Sequence, residues 1–72
     1  MIEEQLHLAL ADHLALVRVV GAAARMGCKL VRVEAAFGTP PSTLLVIEGT
    51  DSSRRRLAAY AARVMSVYEE DL

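Results

Sequence analysis

Leucines recur at every second position early in the chain: Leu6, Leu8 and Leu10 alternate with His7, Ala9 and Ala11. A period of two marks a strand with one buried face, so a strand is predicted over 5–11 with the leucines inward. Asp12 then offers a carboxylate to the free N–H groups of a following helix. Beyond it the period lengthens. Leu16, Val19, Val20, Ala23 and Met26 fall at helical spacing, which predicts a helix over 13–26 with that stripe in the core. Arg18, Ala22 and Arg25 fall on the opposite side, and Gly27 suits the positive φ of a helix-closing residue.

A second strand is predicted over 29–37, with Val31, Val33 and Ala35 inward and Arg32 and Glu34 outward. Charges along a strand place it at a sheet edge. Gly38 to Ser42, with Pro40 and Pro41 adjacent, is a turn. The third strand, 43–48, is apolar on both faces: Leu45 and Ile47 on one, Leu44 and Val46 on the other. It is therefore the central strand. Thr50 or Asp51 caps a second helix over 52–65, whose core stripe is Leu57, Ala61, Val64 and Met65. A short last strand is predicted over 66–72.

The order strand, helix, strand, strand, helix, strand is the split βαβ arrangement. The predicted fold is thus α+β and ferredoxin-like (βαββαβ), a single domain over 1–72. Its sheet would have four antiparallel strands, with both helices on one face. The open face would carry Ala9, Ala11, Arg32, Leu44 and Val46, too apolar at its centre to stay wet.

Composition strengthens the case for association. At 72 residues with 54% hydrophobic side chains, a lone chain buries only ~60% of its unfolded surface. A homo-oligomer, dimer or higher, is the expected remedy. The lone Cys28 excludes an internal disulfide, and with only His7 and His13 beside it a structural zinc has too few ligands. The net charge of −1 gives no basic excess for nucleic acid or an anionic membrane, and no apolar run is long enough to span a bilayer. An acidic start, MIEEQ, and a single cysteine lead to a cytoplasmic expectation.

Candidate chemistry is sparse. A metal chaperone of this fold would carry a Cys-x-x-Cys after the first strand, where this chain has Asp12 and His13. An RNA-binding sheet would need aromatics on its central strands. An acyl-phosphate hydrolase would need an Asn, and the sequence has none. Cys28 has no acid–base partner at readable spacing and reads as a small half-buried residue. The cluster Arg54, Arg55 and Arg56 opposes the dipole at the second helix's start and reads as a solvated face or a contact for an acidic partner. No catalytic residues and no cofactor of its own are expected. The turn at Asp12 is a place where free helix N–H groups can receive a small carboxylate.

The run LVRVVG (16–21), the ARMG (24–27) that closes it, the apolar–charged strand that follows and RVMSV (63–67) together resemble the ACT domain. Within it they resemble the small regulatory subunit of acetolactate synthase (acetohydroxyacid synthase). The resemblance covers nearly the whole chain. It implies a non-enzymatic regulator that binds a thiamine-diphosphate-dependent catalytic subunit and activates it in branched-chain amino acid biosynthesis. It also implies that copies pair side by side through the second strand. The oligomer residues would be Leu30, Arg32, Glu34, Leu44 and Val46. A small amino acid would lie near Ala11, Asp12, His13, Leu14 and Lys29. Leu14 stands where the valine-sensitive pattern has Gly, and Ala11 and Lys29 stand where it has Asn. Those departures point to the short, valine-insensitive type. The alternative within the same resemblance is a stand-alone amino-acid sensor that modulates another enzyme or a transcription factor.

Overall fold

The computed structural model describes residues 2–10 and 12–70, with side chains as far as Met65. Its elements run β1 (Ile2–Leu8), α1 (His13–Arg25), β2 (Lys29–Ala36), β3 (Ser42–Gly49) and α2 (Asp51–Glu70). The fold is α+β. A three-stranded antiparallel sheet in the order β1-β3-β2 packs one face against both helices.

β3 is central, as its two apolar faces require. Thr43, Leu45 and Ile47 point to the helices and are fully or almost fully buried. Residues paired across a ladder share a face, so Glu4, Leu6 and Leu8 of β1 join them there, as do Leu30, Val33 and Ala35 of β2. The other face carries Glu3, Gln5 and His7, then Leu44, Val46 and Glu48, then Lys29, Arg32 and Glu34. Val46 is only 6% exposed although no helix covers it. Gln5 and Arg32, its cross-strand neighbours, flank it on either side. Long polar side chains thus shelter an apolar centre that the sequence left bare.

The first strand lies earlier than predicted, in Ile2–Leu8 rather than 5–11. Leu10 leaves the strand but is still fully buried, so its place in the leucine alternation reflects core membership and not pleating. α1 is capped by Asp12, whose Oδ1 accepts from the Ala15 N–H at 3.0 Å. Its buried residues are Ala15, Val19, Ala22 and Ala23. Ala22 is therefore a core residue, and Leu16, Val20 and Met26 only flank the core half-buried. Small alanines at the centre of the contact let the helix approach closely, and the larger residues close its margins. Gly27, at φ 80°, ends the helix. The Cys28 N–H reaches the Ala23 carbonyl at 2.9 Å and the Gly27 N–H the Ala24 carbonyl at 3.3 Å, the two bonds of a Schellman closure.

Two further expectations are corrected. In β2 a bulge between Leu30 and Arg32 inserts Val31, so Leu30 takes the inward place and Val31 does not. Val33 and Ala35 do face the helix side, but α1 covers only the beginning of β2 and both stay exposed. The predicted last strand is absent from the described residues, because α2 continues through 66–70. No Gly or Pro interrupts that stretch, and Glu69 and Glu70 within it favour a helix. Among the described residues the sheet accordingly has three strands and not four, and residues 71 and 72 of the predicted strand lie outside them.

Candidate functional site

Three places hold the residues singled out from the sequence. The first is the start of α1. Asp12 spends its side chain on the cap. His13 and Leu14 project into solvent, Leu14 at 55% exposure. Ala11 lies outside the described residues. Lys29 is not near them. It opens β2 beyond the far end of α1 and pairs with Glu48, whereas the strand that leads to Asp12 ends opposite Thr43. Those two rungs are five residue steps apart along β3, about 17 Å at the usual strand rise. Within one chain, then, the four described residues among the five expected to meet a small ligand divide into two groups at opposite ends of the sheet, Asp12, His13 and Leu14 at one and Lys29 at the other.

The second place is the start of α2. Thr50 is the N-cap, its Oγ1 accepting from the Ser53 N–H at 3.1 Å. Of the three arginines that follow, Arg55 and Arg56 are exposed, and Arg54 is 8% exposed. The Arg54 guanidinium donates to Glu4 of β1 and to Asp51, and its Nε donates to the Gly49 carbonyl at 3.3 Å. The carboxylates offset the positive charge that an arginine adds at a helix start. Arg54 is therefore a tie between β1, β3 and α2, and not part of a solvated face. Cys28 lies close by, buried, and a Cβ built on Gly49 would stand 3.4 Å from its sulfur. Burial raises the Cys28 thiol pKa against the smaller lowering effect of Arg54 and Arg56, so the thiol is held in its unreactive form.

The third place is β2 with the adjoining open face. Val31, Val33 and Phe37 are exposed apolar residues along this edge and the turn beyond it. Arg32 and Glu34 form an ion pair with each other on the open face, beside half-buried Leu44 and buried Val46. A depression of about 210 Å³, lined by Glu34, Ala35, Ala36, Ser42 and Leu44, lies on the same side. It is smaller than the ~300–1,000 Å³ of typical small-molecule pockets and opens to solvent. The sequence placed Leu30, Arg32, Glu34, Leu44 and Val46 at an interface. The structure brings all five onto neighbouring rungs, with Leu30 turned to the helix side.

Among the described residues no three His, Cys, Asp or Glu side chains are grouped to hold a metal ion, and no helix is long and apolar enough to cross a membrane. What the geometry offers is surface, in the form of strand edges and an apolar strip. Compared with protein-family models, characterised proteins and solved structures, the chain matches none.

Proposed function

We propose that this chain is a regulatory module of the ACT type, the activating small subunit of an acetolactate synthase, with no catalytic residues and no cofactor of its own. The observation that carries this reading is the segment from α1 to β2. The LVRVVG run lies within a helix closed by Gly27, and an exposed strand of alternating apolar and charged residues follows at once. The element order β-α-β-β-α is compatible with the ferredoxin-like fold on which that reading depends. In this reading the catalytic subunit meets the β2 side through Val31, Val33, Leu44 and Val46. The work is done in the cytoplasm, within branched-chain amino acid biosynthesis.

The test is reconstitution. Purified chain is titrated into a thiamine-diphosphate-dependent acetolactate synthase catalytic subunit and acetolactate formation is measured. Saturable activation that is lost on replacing Val33 by Asp supports the reading. No binding and no activation refute it. The stand-alone sensor would show itself differently, as a thermal shift produced by one of the twenty amino acids without any effect on the catalytic subunit.

A further inference from the structure

The sheet has two edges, and they are not alike. β2 is interrupted by the Val31 bulge and carries Lys29 and Arg32. Bulges and basic residues are the means by which edge strands discourage further pairing. β1 has neither a bulge nor such basic residues, and its charges are Glu3 and Glu4. It pairs with β3 in an unbroken register from Ile2↔Gly49 to Leu8↔Thr43, and it contains no proline and no Lys or Arg. Its other side has no strand beside it among the described residues. The predicted last strand would have had to lie in the sheet, and residues 66–70 are helical instead.

We infer that β1 is the self-association edge: two copies pair β1 to β1, antiparallel, about a two-fold axis at Gln5. The inference does not rest on the regulatory reading above. It rests on length and charge. Gln5 is the midpoint of the seven-residue strand, so centring there gives the greatest overlap. In that register Glu3 of each copy stands opposite His7 of the other, and Gln5 stands opposite its symmetry mate, all on the open face. On the helix side Ile2, 59% exposed in the single chain, stands opposite Leu8. Residues of like face meet, so both helix layers remain on one side of a continuous sheet.

Other registers are poorer. Sliding one way sets Glu4 against Glu4. Sliding the other way moves Glu3 past the end of the partner strand. Within its own chain Glu3 lies directly opposite Glu48 across the ladder, a like-charge rung. An imidazole from the second copy would stand on the other side of Glu3, where its N–H can donate to the carboxylate. Glu3, Gln5 and His7 are all exposed in the single chain, as a vacant edge requires.

Sedimentation of the full chain at micromolar concentration tests this. A two-chain mass is expected. Replacing Glu3→Lys removes the acceptor from both Glu3–His7 rungs and should weaken the dimer on the order of tenfold. Exchanging the pair, Glu3→His with His7→Glu, should restore it, and Val33→Lys on β2 should leave it unchanged. A Gln5→Cys, Cys28→Ala chain should become a covalent dimer on oxidation, because residues opposed at the axis have Cβ atoms ~4.5–5.5 Å apart. A monomeric wild type overturns the inference. So does a dimer that Val33→Lys dissociates and Glu3→Lys does not.

Discussion

Replacing Arg54 by Met is the sharpest test of how this small domain holds together. The substitution keeps most of the buried stem and removes the guanidinium. Three contacts go with it. The ion pair to Glu4 is partly shielded, its carboxylate side chain 35% exposed, and a charge-assisted bond so placed contributes about 1–1.5 kcal/mol. The pair to Asp51 is mostly in solvent and contributes about 0.5 kcal/mol or less. The 3.3 Å bond to the Gly49 carbonyl adds about 0.5–1 kcal/mol. Arg54→Met should therefore cost about 2–3 kcal/mol, which for a domain of this size lowers Tm by roughly 10–20 °C. The assay is urea unfolding followed by circular dichroism, at one fixed protein concentration because association adds to apparent stability. A double-mutant cycle with Glu4→Gln should give a coupling of about 1 kcal/mol. A loss under about 0.5 kcal/mol, with no coupling to Glu4, would refute the view that Arg54 ties β1 to α2.

Two other perturbations follow from buried polar atoms. The Thr43 hydroxyl is buried, the residue 2% exposed, and its Oγ1 has no hydrogen-bond partner; Thr43→Val should raise stability by about 1 kcal/mol, read as a higher urea midpoint with an unchanged slope. Cys28 has a thiol pKa raised by burial, so its contribution to stability is complete below the unfolded thiol pKa and is lost as pH rises through the higher folded one. Unfolding free energy should fall over that alkaline window in the native sequence and fall less in Cys28→Ala, while native Cys28 should react with a thiol reagent far more slowly than in urea.

Much of the architecture was legible because periodicity reports burial directly. The two apolar faces of 43–48 placed β3 at the centre of the sheet, and Asp12 and Gly27 marked the two ends of α1. The errors came where one pattern fits two structures. Leu10 completes a period-two run yet sits in a connection, because burial alone puts a leucine there. The helical stripe was misplaced because Ala22 looked small enough for either side, whereas close packing of the helix selects small residues. Arg54 was invisible as a core residue: its partner Glu4 is 50 positions away, and no local pattern encodes such a pairing. The bulge at Val31 had no signal either, since Leu30, Val31 and Val33 are all apolar and the register is chosen by the neighbouring strand. At the candidate surface, exposed charges on β2 were readable, but the intact edge of β1 was hidden by a predicted fourth strand.

The Val31 bulge has a bearing on stoichiometry. A sheet with two receptive edges behaves as a bifunctional monomer, and each addition exposes a fresh end, so growth is open-ended, as in step-growth fibres. Blocking one edge reduces the functionality to one. Association through the remaining edge then terminates itself after a single event. In the β1-paired dimer inferred above, one extra residue in β2 would separate a chain that counts to two from a chain that polymerises, and its removal should appear as fibre formation rather than as a change in affinity.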